Sequence, residues 1–219
     1  MSGHGERALA GRPLGTGLQP RSSGATHNRS SGAKAPRGLK PAPLFLFQDP
    51  ALRRQALALL RRLPPLAGKP IAIATARGLR DRHGAAHAGS FLRLRRIAFD
   101  CARSEFPRVL VHELFHFVWL RAGNNLRRAF ENLLAEEWRG KGRGELGWSA
   151  EFRKAALTSA DVRTRSRRWR EYCCESFCDT AAWLYAGVAR HEEFNLEGRL
   201  RSRRRAFFRQ AIESRCLPI

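Results

Sequence analysis

Long apolar runs are what this chain lacks most visibly. No segment reaches the ~18 consecutive apolar residues that a membrane-spanning helix needs. The first residues, MSGHGERALAGRPLG, have no apolar stretch of the length found in secretory signals. The sequence therefore predicts a protein without a membrane segment, located in the cytoplasm. Hydrophobic residues still make up 43% of the 219 residues, which is enough for a globular core.

Cysteine and acidic residues are also scarce. Five cysteines, two of them adjacent, do not give the even-numbered framework of a disulfide-stabilised domain. Nineteen acidic residues stand against 41 basic ones, for a net charge of +22. The arginines are scattered from Arg7 to Arg215, and no zinc-finger, helix-turn-helix or RNA-recognition signature accompanies them. The charge therefore predicts, at most, non-specific contact with nucleic acid through the Arg-rich segments.

Composition divides the chain into a tail and one domain. Residues 1–42 are rich in Gly, Ser, Pro and Arg and predict a disordered basic tail, whereas residues 43–219 predict a single folded domain. The predicted elements are a helix after Asp49-Pro50, strands at 70–76 and 91–99 separated by a loop or hairpin tip at 77–90, and helices near 107–121, 124–139, 150–157, 162–186 and 199–213. Two strands followed by helices favour an α+β fold over a parallel α/β sheet.

One helix carries a metal-binding pattern. His112 and His116 are four residues apart and so lie on one face of the helix predicted at 107–121. At that spacing two imidazole nitrogens can meet one tetrahedral Zn²⁺ at ~2.0–2.1 Å. Glu113, beside the first histidine, is suited to act as a general base toward water. The flanking residues are uncharged, which is typical of a buried helix whose only polar face is the site.

A third zinc ligand is expected downstream. Glu171, Glu175 and Asp179 are spaced by four residues and form an acidic stripe on the predicted helix 162–186. Glu175 is predicted as the third ligand, with the Asp179 carboxylate accepting the free N–H of a ligating imidazole. Tyr172, three residues before Glu175, is a candidate for hydrogen bonding to a developing oxyanion. An ordinary buried tyrosine is the competing interpretation.

The HELFH run, its uncharged flanks and the downstream Glu175-x-x-x-Asp179 together resemble the gluzincin branch of the zincin metallopeptidases, which includes thermolysin. The resemblance implies a zincin-like fold, Zn²⁺ held by His112, His116 and Glu175, and cleavage of a peptide or protein substrate with Glu113 activating water. It also implies that the strand before the motif helix borders the cleft and pairs with an extended substrate. Glu175 follows His116 by 59 residues, more than in thermolysin-like enzymes.

Two groups of alternatives remain open at this stage. The chain could be a basic, nucleic-acid-associated or non-catalytic binding protein whose zinc site is structural or decayed, although a structural site normally has four protein ligands. Cys173, Cys174 and Cys178 could be ligands of a soft metal, but their spacing is not that of a zinc finger, and small buried apolar residues are the favoured interpretation. A second metal site at His83 and His87 is the weakest of these possibilities.

Overall fold

A computed structural model describes residues 44–81 and 84–219. The chain order of elements is β1 (Phe45–Phe47), α1 (Pro50–Leu60), β2 (Leu66–Ala67), β3 (Ile71–Thr75), β4 (Arg80–Asp81), β5 (Gly84–Ala85), β6 (Ala88–Phe91), β7 (Arg96–Phe99), α2 (Phe106–Arg121), α3 (Asn124–Arg139), α4 (Trp148–Ala155), α5 (Ser159–Thr164), α6 (Arg167–Tyr185), α7 (Gly198–Ala211) and β8 (Leu217–Pro218). The fold is α+β, as the sequence predicts. The predicted tail at 1–42 and His83 lie outside the described residues.

The main sheet has four strands in the order β1-β3-β7-β6. Strands β1, β3 and β7 are parallel, and β6 pairs antiparallel with β7. Helix α1 connects the parallel neighbours β1 and β3, and its start is fixed by Asp49, whose carboxylate accepts a hydrogen bond from Ala51 N. The sheet is therefore mixed, and it contains more parallel pairing than the sequence-based expectation allowed.

The strand predicted at 91–99 is wrong in its extent. The structure instead forms a hairpin, with β6 and β7 separated by a turn at 92–95. Arg95 makes this turn with a left-handed backbone (φ 49°), and its Nε donates to the carbonyl of Pro70 at 3.0 Å. Arg93 and Arg95, expected to share one face of a strand, thus lie in the turn. The strand next to the motif helix in space is β6.

The helical layer is built around α2, which is buried for most of its length. Leu110, Leu114 and Phe117 have no exposed side-chain surface, in agreement with the apolar pattern of the sequence. Its neighbours in the core are α1 on one side and α6 on the other. This packing fixes the direction in which the polar face of α2 points.

The helix predicted at 162–186 is two helices, because the chain turns sharply at Arg165. Arg165 adopts a left-handed conformation (φ 50°), and Ser166 then caps α6 by accepting a hydrogen bond from Trp169 N. Helix α5 has its own start, a capping box between Thr158 and Asp161. Within 44–81 and 84–219, no helix combines the length and apolar character needed to cross a membrane.

Candidate metal centre

Helices α2 and α6 pack along one another, and their facing side chains bring three ligand atoms together. His112 Nε2 lies 3.2 Å from His116 Nε2 and 3.3 Å from Glu175 Oε2. His116 Nε2 lies 3.9 Å from the same carboxylate oxygen. The structure thus brings together the three residues that the sequence nominated as ligands, although 59 residues separate His116 from Glu175.

These separations fit a zinc ion. Four donors arranged tetrahedrally at about 2.0–2.2 Å from zinc lie about 3.3–3.6 Å from one another. The three measured separations, 3.2, 3.3 and 3.9 Å, bracket that range. The donor types also fit, since imidazole nitrogen and carboxylate oxygen are common zinc ligands. With three protein donors, the arrangement leaves a fourth position for water or substrate.

The Asp179 carboxylate holds the ring of His112. Its Oδ1 lies 2.7 Å from His112 Nδ1, and its Oδ2 accepts a hydrogen bond from Ala150 N at 3.2 Å. A proton on Nδ1 donated to Asp179 leaves the Nε2 lone pair free for a metal. Gly147 makes this contact possible, because a Cβ at that position would lie 2.2 Å from Asp179 Cγ. Asp179 thus occupies the position that the sequence analysis expected.

Replacing Asp179 with asparagine is expected to weaken zinc binding about 10- to 100-fold, the usual cost of losing the partner of a ligating histidine. The amide keeps the size of the side chain but removes the negative charge that favours the Nδ1–H tautomer. Competition with a chromophoric chelator would measure the affinity. Glu136→Gln is the control, since Glu136 is exposed, pairs with Arg203 and is not among the residues that line the cleft. Equal affinities in both variants would contradict the assigned role of Asp179.

The second oxygen of Glu175 is held by a cation. Arg153 Nη2 on α4 lies 3.2 Å from Glu175 Oε1, so Oε2 faces the histidines. Burial alone would raise the pKa of Glu175, but hydrogen bonding to His112 and the positive charges of His116, His112 and Arg153 lower it to about 2. The carboxylate is therefore ionised at neutral pH, as a ligand must be. Among the described residues, Arg153 Nε is buried without a hydrogen-bond partner.

The proposed general base is held by the edge strand. Ser90 on β6 donates its hydroxyl proton to a carboxylate oxygen of Glu113, and Ser90 Oγ also lies 2.8 Å from the backbone oxygen of Glu113. One metal-ligating atom from each of Glu113, His112 and His116 lies within 4.8 Å of the other two. Glu113 therefore stands beside the metal position with its carboxylate oriented by a neighbouring strand.

Strand β6 presents backbone groups to solvent along this edge. Asp100 N donates to His87 O at 2.7 Å, which makes the next pair, Ala88 and Phe99, a non-hydrogen-bonded pair. The N–H and C=O groups of Ala88 and Ser90 consequently point away from β7. Within the described part of the chain, no further strand pairs with this edge. An extended peptide could add to the sheet at this point.

A cleft of about 930 Å³ contains the metal-ligand cluster. Its walls come from α2, α4, α6 and the residues at the start of β6. His87, which directly precedes β6, is one of the lining residues. Trp148 and Phe152 on α4 also line the cleft and are 46% and 78% exposed. The lining of the cleft thus includes residues at the start of the edge strand β6 and two exposed aromatic side chains.

Tyr172 does not belong to this site. Its side chain is buried, and its hydroxyl donates to Glu145 Oε1 at 2.6 Å, away from the cleft. It is not among the residues that line the cleft. The expectation that Tyr172 stabilises an oxyanion is therefore corrected, because its hydroxyl proton is committed to an internal carboxylate. Sequence spacing alone could not distinguish the two faces of α6 at this position.

The second ring nitrogen of His116 has a thiol partner, which the sequence analysis missed. Cys174 Sγ lies 3.4 Å from His116 Nδ1. Hydrogen bonding with Cys178 and with His116, opposed by burial, lowers the pKa of Cys174 to about 6. Ser90, Arg153 and Cys174 lie far from the motif in sequence, and only the position of Cys174 beside Glu175 offered a local signal.

Comparison of this chain with protein-family models, with curated proteins and with solved structures finds no match. The function proposed below therefore depends on the geometry of the site and on the resemblance of its motif.

Proposed function

We propose that this protein is a zinc-dependent hydrolase, most consistent with a metallopeptidase of the gluzincin type. The observation that carries the proposal is the convergence of His112 Nε2, His116 Nε2 and Glu175 Oε2 at zinc-ligand separations. Three protein ligands in an open cleft are typical of a catalytic zinc, whereas structural zinc sites normally have four. Zinc bound there would polarise a substrate carbonyl and lower the pKa of a water molecule.

Each neighbouring residue then has a role that its contacts support. Glu113 takes the proton of the attacking water and returns it to the leaving amine, and Ser90 orients its carboxylate. Asp179 fixes the tautomer of His112. Arg153 holds Glu175 and its side chain lines the cleft, so its guanidinium replaces Tyr172 as the candidate donor to a developing oxyanion.

A peptide is favoured as substrate by the surroundings of the site. The backbone groups of Ala88 and Ser90 face the open edge, where a main chain can pair regardless of its side chains. Trp148 and Phe152 line the same cleft and offer exposed aromatic surface, which suits an apolar substrate side chain. Neither feature would be needed by a small hydrophilic substrate.

The experiment that tests the proposal combines metal analysis with a peptide-cleavage assay. The purified protein is expected to hold about one tightly bound Zn²⁺ per chain and to cleave members of a random-peptide mixture. His112→Ala should lose the zinc and the cleavage together, because it removes a ligand. Arg128→Ala, at an exposed position, serves as the control and should retain both. Zinc retained at full occupancy in His112→Ala would contradict the ligand assignment.

The nucleic-acid alternative stays a prediction. Several arginines of the described chain are engaged with carboxylates, as Arg108 is with Glu105 and Glu193. Binding to nucleic acid through phosphate neutralisation would fall steeply with salt and ignore sequence. Sequence-selective binding that survives physiological salt would favour that alternative over a peptidase.

A further inference from the structure

A second group of metal-ligating atoms lies on the far side of the His116 ring. A ring nitrogen of His116 and the Sγ atoms of Cys174 and Cys178 lie within 4.8 Å of one another. The two cysteines are one turn apart on α6, and Cys174 Sγ is 3.4 Å from the ring nitrogen. Cys178 is fully buried and Cys174 is partly buried, and of the three residues only His116 is among those that line the cleft.

We propose that His116 Nδ1, Cys174 Sγ and Cys178 Sγ form a second metal site, one that takes a soft thiophilic cation. Two thiolates and an imidazole are the donors that such cations prefer. Metal–sulfur bonds of about 2.3 Å and metal–nitrogen bonds of about 2.0 Å require donor separations of about 3.5–4 Å. The donor atoms of this group lie within 4.8 Å of one another, so small side-chain movements would bring them to these separations.

The cysteine next in the chain shows that the grouping is specific. Cys173 is as deeply buried as Cys178, but it is not part of the cluster. The charged side chains that act on Cys173 are Glu131, Arg165 and Arg204, none of which belongs to the His116 cluster. Helical geometry therefore directs Cys174 and Cys178 to His116 and directs Cys173 elsewhere.

Occupation of this site would couple it to the first one through a shared ring. A dication binding here holds both sulfurs as thiolates, so any thiol proton still present on Cys174 or Cys178 is released to solvent. When His116 Nε2 is already coordinated, the Nδ1 proton is displaced as well, and the imidazole becomes a bridge between two cations. This second site shares only His116 with the proposed hydrolase site. Metal binding by the two cysteines therefore does not require that the protein be a hydrolase.

Cadmium titration of the full chain, first loaded with one equivalent of zinc, tests the proposal. A thiolate-to-cadmium charge-transfer band in the ultraviolet is expected, saturating at about one Cd²⁺ per chain. Cys174→Ser and Cys178→Ser should each lose most of the band. Cys173→Ser and exposed Cys216→Ser should keep it. A band unchanged in Cys174→Ser, or absent from the wild type, would overturn the proposal.

A second measurement on the unmodified protein does not depend on how the variants fold. X-ray absorption at the cadmium edge counts the sulfur neighbours of the bound ion, and two are expected. A spectrum with only nitrogen and oxygen neighbours would overturn the site even if cadmium binds. Peptide cleavage measured separately distinguishes failure here from failure of the proposed function, because the hydrolase assay requires no cadmium.

Discussion

Replacing Glu113 with glutamine is expected to reduce peptide hydrolysis by about 10²- to 10⁴-fold while leaving zinc bound and the fold intact. Positioned proton transfer typically contributes a factor of that size, and an amide cannot accept the proton of water. Glutamine has nearly the same volume as glutamate, and the Ser90 hydroxyl can still donate to its amide oxygen. The measurement is the hydrolysis rate per bound zinc, with zinc content determined on the same sample.

Ser90→Ala provides a graded companion to that variant. Ser90 contacts the Glu113 carboxylate without reaching the metal position, so its loss should lower the rate less than Glu113→Gln does and leave zinc content unchanged. Loss of zinc from Glu113→Gln would make Glu113 a ligand. Full activity in Glu113→Gln would move the general base to another residue and contradict the proposed mechanism.

The parts of the site that the sequence predicted are those fixed by a single helix. His112 and His116 share a face because four residues make about one turn, and Glu175 and Asp179 do so for the same reason. The structure brings the two pairs together because the apolar faces of α2 and α6 pack on each other. Residues whose place depends on another element, such as Ser90 on β6, carry no sequence signal of this kind.

The secondary structure, too, was predicted where the signals are local and missed where it depends on a distant part of the chain. Helix α3 occupies the predicted range 124–139, because its apolar periodicity and the terminal Gly140 are local signals. The sequence did not predict the turn at 92–95 or the break at Arg165. Both depend on an arginine with a left-handed backbone, a conformation that arginine rarely adopts and that the residue type therefore does not predict. The contact from Arg95 Nε to the carbonyl of Pro70 stabilises the first of these from a distance in sequence.

A buried ion network connects the C-terminal helix to the wall of the cleft. The Arg204 guanidinium on α7 has no exposed surface, and it lies 2.7 Å from both Glu137 Oε2 and Glu145 Oε2. Glu145 also accepts the Tyr172 hydroxyl and lies 3.2 Å from Lys154 Nζ. The segment after Glu145 leads to Gly147 and α4, which packs against Asp179. The network thus anchors the segment that supports the ligand cluster.

The central carboxylate of this network, Glu145, is ionised at neutral pH. Burial would raise the pKa of Glu145, but Arg204 and Lys154 together hold it below its usual value. A carboxylate whose pKa is lowered in the folded state contributes stability above its unfolded pKa of about 4.3, and this contribution is lost as pH falls through the folded pKa. The network is therefore fully formed at pH 7, which is the condition for testing it.

Arg204→Ala is expected to lower the free energy of unfolding by about 3–5 kcal/mol, because it leaves buried Glu137 without the cation it pairs with and leaves Glu145 with Lys154 alone. Arg203→Ala is the matched control: Arg203 is adjacent, exposed and paired with exposed Glu136, so its loss should cost less than about 1 kcal/mol. Urea unfolding at pH 7, in zinc-free buffer so that metal binding does not mask the difference, measures both variants. Equal losses in the two would show that the buried network does not stabilise the fold. A large loss confined to Arg204→Ala, with zinc affinity also reduced, would show that the network supports the metal site through Gly147 and α4.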